Sequence, residues 1–560
     1  MPPTTVPDLA REHTAQPISH IAASLGVHPD DLVSYGREMA KVSLRALERE
    51  SPLGETRRKL VLVSAITPTP AGEGKTTTSI GLGQAFTALG HSVCLALREP
   101  SMGPSLGLKG GATGGGRAQL IPADRINLHF TGDFHAITSA HNLLASLIDN
   151  HLHFGNALGI DPGRVVWPRV LDLNDRALRH VVVGLGGVGQ GVPRETSFDI
   201  TAASEVMAIL CLARDMADLR ARLERILVAF THAGEPVYAR ELGAAGAMLA
   251  LLRDALDPNL VQAVGGTPVI LHGGPFANIA HGCSSLVGTR LAMHLAEWTF
   301  TEAGFGFDLG AEKFLDIKCR TGGLAPDGVV LVTTIRALKM HGGQDLAKAA
   351  EVSPEAVLAG LPNLDKHIES ARRFGLPVVV ALNRFGADDD REIGVVRARC
   401  TELGATFAVS DHFEHGGEGA LELARAVIDA CGGSTRPEPV VLYDLDEPVP
   451  EKIRRVAQEM YGASAVVLTK AAERELRDIE RLGHAGLPVC IAKTQNSLSD
   501  DPTRRGRPRD FTLTVRGLRV NSGAGFIVVL TGDIVRMPGL PRRPLAEQVD
   551  VQDGVIVGLR

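Results

Sequence analysis

A glycine-rich stretch carries the clearest chemical signal in the sequence. Residues 69–76 read Thr-Pro-Ala-Gly-Glu-Gly-Lys-Thr and follow an apolar run that is predicted to be a strand. Gly72 and Gly74 permit positive φ and a close approach of the backbone to an anion. The free N–H groups of the helix predicted after them would face that anion, while Lys75 would reach phosphate oxygens and Thr76 would hold Mg²⁺. The stretch therefore predicts a phosphate-binding loop.

This loop departs from the usual pattern at one position. Thr69 stands where G-x-x-x-x-G-K-[ST] begins with glycine. The alternative interpretation is an ordinary glycine turn with a solvated lysine. The strand and helix predicted on its two sides favour the phosphate loop, because the mechanism needs a helix N-terminus at the anion.

Three further charged residues are predicted at the same edge of the fold. The apolar run Val93 to Leu97 follows the helix of the loop, and this β-α-β order implies a parallel sheet. Arg98 and Glu99 come directly after that run, and Asp133 precedes a helix predicted from about Phe134 to Leu152. Because ligands bind at the carboxyl edge of such sheets, we expect these side chains beside the loop.

Two segments near this edge leave alternatives open. Lys109 to Gly116 contains five glycines and is predicted as a second anion-binding nest rather than a linker between two strands. Arg125 to Phe130 alternates like a strand. His129 within it either reaches the ligand edge or is a core histidine hydrogen-bonded to backbone.

Residues 181–189 match the dinucleotide motif G-x-G-x-x-G without its structural context. Gly191 and Pro193 forbid a helix at the third glycine, which the dinucleotide mechanism requires. A nicotinamide site is therefore not expected, and Glu205 is predicted to start the next helix.

The composition is that of a globular protein with several domains. At 560 residues the chain exceeds one core, while 44% apolar and 22% charged residues are ordinary values. The net charge of −6 gives no general attraction to nucleic acid or membrane. The seven cysteines form no C-x-x-C pair, and no run approaches the ~20 apolar residues of a membrane span. We therefore expect reduced, buried thiols in a cytoplasmic protein.

The order of apolar runs and helical stripes predicts an α/β protein. Residues 1–364 are expected to form a parallel-sheet, P-loop NTPase-like nucleotide domain, followed by two smaller α/β domains. The first, residues 365–496, would have its own parallel sheet and contribute to the substrate site. The second, residues 497–560, begins with a polar linker from Ser497 to Asp510 and continues as a strand-rich tail. Residues 18–50 look helical.

Several strings of this sequence together resemble the formate–tetrahydrofolate ligase family, also called formyltetrahydrofolate synthetases, over the whole chain. They include Thr67-Pro-Thr-Pro-Ala-Gly-Glu-Gly-Lys-Thr-Thr-Thr78, Arg98-Glu-Pro-Ser101, Asn127-Leu-His-Phe-Thr-Gly-Asp133, Phe198-Asp-Ile-Thr-Ala-Ala-Ser-Glu-Val-Met207, Lys339-Met-His-Gly-Gly343 and Ala492-Lys-Thr-Gln495. The resemblance implies ATP-driven ligation of formate to tetrahydrofolate in one-carbon metabolism, giving 10-formyltetrahydrofolate, ADP and phosphate through formyl phosphate. It also implies a homotetramer, Mg²⁺ with ATP, and a monovalent cation such as potassium or ammonium.

The resemblance assigns roles to individual residues. ATP binding falls to Thr69, Pro70, Ala71, Gly72, Glu73, Gly74, Lys75 and Thr76, with Mg²⁺ on Thr76. Lys75 and Arg98 are the expected catalytic cations, and Glu99 and Asp133 match acidic positions near the reacting groups. Phe385 and Phe413 match folate-stacking aromatics, while Phe305 and His129 are expected near the nucleotide or the intermediate. The alternative for Phe385 and Phe413 is that both rings pack beneath their loops.

Some positions depart from the family pattern. Phe413 stands where tryptophan is usual, so an aromatic face remains without an indole N–H donor. His415 stands where lysine is common, and Arg117 where tyrosine is frequent.

Competing interpretations are a switch ATPase built on the same loop, a nicotinamide oxidoreductase and a folate-binding scaffold without catalysis. A switch ATPase would release ADP without formate or tetrahydrofolate. Intact Lys75, Thr76 and Arg98 argue against an inactive scaffold.

Overall fold

The chain is built around one large, mainly parallel β-sheet, seen in a computed structural model that describes residues 15–70, 72–107, 113–433, 438 and 440–559. Its strands are β1 (Leu32–Ser34), β2 (Ala40–Val42), β3 (Lys59–Ala65), β4 (Val93–Leu97), β5 (Gly114–Gly115), β6 (Ala118–Ile121), β7 (Ile160–Val165), β8 (Arg169–Leu171), β9 (Val181–Val183), β10 (Arg194–Thr196), β11 (Phe198–Ile200), β12 (Leu227–Thr231), β13 (Pro236–Tyr238), β14 (Asn259–Ala263), β15 (Pro268–Leu271), β16 (Trp298–Glu302), β17 (Gly328–Thr333), β18 (Val378–Asn383), β19 (Thr406–Ser410), β20 (Ala465–Leu468), β21 (Val489–Ala492), β22 (Thr512–Val515), β23 (Gly517–Asn521), β24 (Phe526–Leu530), β25 (Asp550–Gln552) and β26 (Val555–Val557).

The helices connect these strands and cover the sheet. The α-helices are α1 (Ile18–Ser24), α2 (Lys75–Ala88), α3 (Met102–Leu106), α4 (Ala123–Asn127), α5 (Asp133–His153), α6 (Glu205–Leu212), α7 (Met216–Glu224), α8 (Ala245–Leu252), α9 (Leu286–Leu295), α10 (Arg320–Gly322), α11 (Ile335–His341), α12 (Pro354–Arg373), α13 (Asp390–Glu402), α14 (His412–His415), α15 (Leu421–Cys431), α16 (Val449–Val456) and α17 (Lys470–Arg481). Short 3₁₀ helices span Pro29–Asp31, Leu44–Glu48, Arg176–Arg179, Val188–Gln190, Thr201–Ala203, Ala239–Leu242, Asp254–Leu256, Leu346–Lys348, Glu418–Ala420 and Leu545–Glu547, and π-helical segments span Phe307–Ala311, Phe314–Cys319 and Ala457–Tyr461.

Within the described chain, twelve strands form the large sheet. Ten follow the order β1-β2-β14-β15-β4-β16-β3-β17-β18-β19, while β6 pairs with β14 and β5 pairs with β6. The pairing is parallel from β15 to β19 and antiparallel between the strands on the other side. The carboxyl ends of β4, β16, β3, β17, β18 and β19 therefore meet at one edge.

Both faces of the parallel region are buried. Along β3, Leu60 and Leu62 pack in one hydrophobic core and Val61 and Val63 in the other, as alternation along a strand requires. Helices α2 and α15 contribute to the second core, and α11 and α12 to the first. Parallel strands covered on both faces become continuous apolar runs, which is why the sequence signals them so clearly.

The predicted strand, loop and helix around residue 70 are confirmed by β3 and α2, and β4 and α5 also match their predictions. Glu205 begins α6 as expected. All seven cysteines are buried and free. None of the described helices combines the length and apolar character needed to cross a membrane.

The prediction that residues 365–496 carry a parallel sheet of their own is wrong for β18 and β19, which extend the large sheet beyond β17. β20 and β21 do lie in smaller sheets, but they pair with β22 and β24 beyond residue 497. Strand pairing thus crosses both predicted boundaries. The division into three domains itself stays a prediction.

Three local predictions are wrong. Residues 18–50 form only one α-helix, because β1 and β2 extend the edge of the large sheet through β14. Residues 125–130 lie partly in α4 rather than in a strand. The segment 497–510 is more than a polar linker, since Gly506 and Pro508 are buried.

Helices α11 and α12 pack closely through two glycines. A Cβ on Gly360 would lie 1.9 Å from the carbonyl oxygen of Leu338, and one on Gly342 would lie 1.9 Å from that of Ala356. Only glycine permits this approach, which sets α12 against the sheet edge.

We expect Gly360→Ala to cost ~1–3 kcal/mol of stability, because the helices must separate to admit the methyl group. The thermal unfolding midpoint measures this loss. Gly394→Ala is the matched control, since nothing lies within 4 Å of a Cβ at this position in α13. Equal midpoints for the two variants would show that the contact is dispensable.

Candidate active site

The glycine-rich loop connects β3 to α2 at the carboxyl edge of the sheet. Gly72 and Gly74 have φ values of 79° and 77°, as the sequence predicted, and Gly74 caps α2. Lys75 is the first residue of α2 and is half-buried, as is Thr76 beside it. The first backbone N–H groups of the helix thus lie next to the two side chains expected to meet phosphate. Ala71 lies outside the described residues.

Glu73 holds the shape of this loop. Its buried carboxylate accepts hydrogen bonds from the Thr69 backbone N–H at 2.8 Å and from the Thr334 hydroxyl at 2.6 Å. Asn383, at the end of β18, donates its amide to the Glu73 carbonyl oxygen at 2.8 Å and accepts from the Thr78 hydroxyl at 3.1 Å. The Glu73 carboxylate therefore has its hydrogen-bond partners within the protein and fixes the conformation of the loop.

The start of the loop is fixed by neutral polar side chains from α11 and α12. His341 Nε2 lies 2.8 Å from the Thr67 carbonyl oxygen, and His367 Nε2 lies 3.0 Å from the Thr67 hydroxyl. Asn363 donates to the same hydroxyl at 3.0 Å. Burial lowers the pKa of His341 and lowers that of His367 to about 4, so both rings are uncharged at neutral pH. They place no cation at the base of the loop.

A buried carboxylate that the sequence analysis missed joins the loop to Arg98. Glu302, the last residue of β16, accepts a hydrogen bond from the Thr76 hydroxyl at 2.7 Å. Its other oxygen lies 3.2 Å from Arg98 Nη2. The structure therefore brings Thr76 and Arg98 together as predicted, but through a third residue. A single glutamate at the end of a strand forms no motif, so the sequence did not predict a functional role for Glu302.

Asp133 and Glu99 lie in a second buried cluster. Lys41 Nζ lies 2.8 Å from Asp133 Oδ1, and Asn259 donates to Asp133 Oδ2 at 2.7 Å. Burial, followed by the neighbouring Asp133 carboxylate, raises the pKa of Glu99 well above its ordinary value. Both effects favour the protonated form of Glu99. Lys41 and Asn259 were not predicted.

Phe305 and His129 differ in their surroundings. Phe305 follows β16 by three residues and has a φ of 59°, which is uncommon and strained for a residue with a side chain. Next to it, a Cβ on Gly304 would lie 3.1 Å from Arg98 Nη1, so this turn adjoins the guanidinium. His129 is exposed, and the core-histidine interpretation is wrong for it.

Two phenylalanines follow β18 and β19, Phe385 in the loop after β18 and Phe413 in the short helix α14 after β19. Phe385 and Phe413 are 39% and 40% exposed, so the alternative that both rings pack beneath their loops is wrong. The loops adjoin, because a Cβ on Gly386 would lie 3.9 Å from Glu414 Oε1. Gly115 lies against the Phe413 ring, where a Cβ would come within 3.1 Å of it.

Arg336 connects the phosphate loop to this aromatic edge. Its Nη2 donates to the Gly72 carbonyl oxygen at 3.3 Å, and its guanidinium lies 5.0 Å from the centre of the Phe385 ring. Arg336 lies in α11 and was not predicted from the sequence. Arg336 therefore contacts both the phosphate loop and the Phe385 ring.

Two other sequence motifs have different outcomes. Residues 109–112 of the predicted anion nest lie outside the described residues, while Gly114 and Gly115 form β5. At the dinucleotide-like motif, β9 leads to a three-residue 3₁₀ helix and not to an α-helix. No α-helix begins at the third glycine of this motif, as Gly191 and Pro193 predicted.

One family model matches almost the whole chain. The family is described as formate–tetrahydrofolate ligase, and the match covers residues 5–560. It includes the phosphate loop, Arg98, Glu302 and both exposed phenylalanines.

We expect Glu73→Ala to weaken ATP binding about tenfold, because the Thr69 N–H and the Thr334 hydroxyl lose their acceptor and the loop loosens. Isothermal titration with ATP measures the change. Glu355→Ala, which removes an exposed glutamate of α12, is the control and should leave the affinity unchanged. Equal ATP affinity in both variants would contradict the role given to Glu73.

Proposed function

Because the chain belongs to the formate–tetrahydrofolate ligase family, whose members act in one-carbon metabolism, we propose that it uses ATP to join formate to tetrahydrofolate through formyl phosphate. The products are 10-formyltetrahydrofolate, ADP and phosphate. The observation that carries this proposal is the approach of Thr76 and Arg98 to a single carboxylate, that of Glu302, which supports a nucleotide subsite at the loop and a formate subsite at Arg98.

The chemistry requires these two subsites to adjoin. Formate is a poor acylating agent because its oxygen is a bad leaving group. Attack of a formate oxygen on the terminal phosphorus of ATP releases ADP and gives a mixed anhydride. The folate amine then attacks the formyl carbon, phosphate leaves, and the nitrogen loses its proton.

Phosphoryl transfer depends on positioning and on charge stabilisation by cations and backbone donors. Lys75 and the N–H groups that open α2 fit this role, supported by the arrangement of β3, loop and α2, which is like that of P-loop NTPases. The oxygen donors of Thr76 and Glu302 are of the kind that Mg²⁺ prefers. When bound with ATP, Mg²⁺ neutralises charge on the phosphate oxygens.

Arg98 offers a planar fork to the carboxylate of formate and then to the formyl phosphate. Burial raises the pKa of Glu99, the next residue, which favours its protonated form and lessens its repulsion of a bound anion. Asp133 remains neutralised by Lys41. Both acids are proposed to lie near the formyl group.

Phe385 and Phe413 are proposed to stack on the flat ring of tetrahydrofolate, with Phe305 and His129 near the nucleotide or intermediate. Their exposure at adjoining loops supports this assignment. We also propose a homotetramer and a monovalent cation. Exposed apolar side chains at Phe154, Val182 and Leu185 are available for contacts between subunits.

The direct test is purified protein with ATP, formate and tetrahydrofolate, scored by the 10-formyl product after acid conversion to its cyclised form. ADP formation should require both formate and tetrahydrofolate. ADP release without either substrate would favour a switch ATPase instead.

Lys75→Ala is expected to lower the rate of synthesis 10²–10³-fold, by about 3–4 kcal/mol, because it removes the cation nearest the transferring phosphoryl group. Lys470→Ala is a matched control, since Lys470 is also the first residue of a helix but is exposed. More than a tenth of wild-type turnover at saturating ATP in Lys75→Ala would contradict the assignment.

Phe413→Ala is expected to weaken tetrahydrofolate binding roughly tenfold through lost stacking and contact area. The Michaelis constants for ATP and formate should stay within about twofold, because the change is local. Phe413→Trp should preserve or tighten folate binding. Measuring all three constants tests the clamp, and an unchanged folate constant in Phe413→Ala removes this residue from the site.

A further inference from the structure

The side chain of Glu302 joins the two halves of the proposed site. β16 lies between β3, which leads to the phosphate loop, and β4, which leads to Arg98. Glu302 ends β16 and is 4% exposed. One carboxylate oxygen accepts from the Thr76 hydroxyl at 2.7 Å, and the other faces Arg98 Nη2 at 3.2 Å and Nε at 3.4 Å.

Glu302 and the proposed substrate formate would compete for the same N–H donors of Arg98. Its fork is paired with the Glu302 carboxylate, and the carboxylate of formate needs the same N–H donors. Glu302 is therefore an internal competitor of the substrate. The Glu302 carboxylate is expected to leave Arg98 only when another cation takes the place of the guanidinium as its partner.

We propose that Glu302 is a positioning residue that couples the nucleotide and formate subsites. It holds Arg98 in the empty enzyme and releases it to formate when Mg²⁺ and ATP bind beside Thr76. This inference rests on the proposed function of the site. It adds an order to that function, in which nucleotide binding prepares the carboxylate subsite.

Thermodynamic linkage makes the coupling reciprocal. If nucleotide tightens formate binding by some factor, formate tightens nucleotide binding by the same factor. Formate then binds weakly before the nucleotide has bound. ATP binds most tightly when formate, which accepts its phosphoryl group, is already present. A purely structural ion pair between Glu302 and Arg98 would affect stability without producing such a factor.

The test is a titration of the enzyme with [¹³C]formate, followed by NMR line broadening, without nucleotide and with Mg²⁺ and the non-hydrolysable analogue adenylyl imidodiphosphate. We expect the loaded wild-type enzyme to bind formate about tenfold more tightly than the empty one. In Glu302→Gln the two affinities should be equal, because the amide no longer pairs with Arg98 as an anion.

Glu297→Gln is the matched control, since Glu297 precedes the same strand at its other end and pairs with Lys59 at 3.0 Å. It should keep the wild-type factor. Glu302→Asp is a second variant, because its shorter side chain keeps the charge but cannot reach both partners. It should reduce the factor even if Glu302→Gln folds poorly. Titration with the analogue in the presence and absence of Mg²⁺ gives an independent readout, and the effect of Mg²⁺ should shrink in both Glu302 variants.

A wild-type formate affinity that ignores nucleotide would overturn the inference, as would an unchanged factor in both Glu302 variants. If those results accompany normal synthesis of the 10-formyl product, the coupling alone is wrong. If the wild type makes no product and binds no formate with any nucleotide, the proposed function has failed first.

Discussion

The position of β16 between β3 and β4 is the constraint on which the whole site depends. Neighbouring strands lie about 4.8 Å apart, so the loop after β3 and the arginine after β4 flank the end of the strand between them. The register places Glu302 opposite Val63 of β3 and Thr301 opposite Ala96 of β4. Parallel pairing is what makes the three ends coincide, and two buried faces are what keep that pairing in place.

The charges at this edge are paired within the protein. Arg98 faces Glu302, and Lys41 faces Asp133, while the histidines that hold the loop are uncharged. Burying an unpaired charge costs free energy of folding. The buried cations of an anion-binding site therefore need partners within the protein when no ligand is bound. In the proposed site, ligand binding would therefore exchange one partner of a charged side chain for another, and the free energy of binding would be the difference between two paired states.

Local sequence determined how much of this could be predicted. The glycine turn, the apolar runs of β3 and β4 and the charged residues that follow them are short-range signals, and they placed Arg98 close to the loop. Asp133 begins a helix as predicted, but it lies with Lys41 and Asn259 in a separate buried cluster. Glu302, Thr334 and Arg336 act on the loop from more than 200 residues away, through a strand order that periodicity does not reveal. The same limit explains β18 and β19, whose apolar runs fit a separate sheet equally well. The helix prediction for residues 18–50 failed for a different reason, because the short strands β1 and β2 have too few residues to show the alternation of a strand.

The contacts around Gly506 bear on when this enzyme can become active during its synthesis. Its N–H donates to His341 Nδ1 at 3.2 Å and its carbonyl oxygen accepts from Asn363 at 2.8 Å, and both partners also hold Thr67. Domains generally fold from the N-terminus as the chain leaves the ribosome. Here the support of the loop near residue 70 includes Gly506, which is synthesised more than 400 residues later. A nascent chain that has completed the large sheet therefore still lacks the hydrogen bonds by which Gly506 supports the two side chains that hold Thr67.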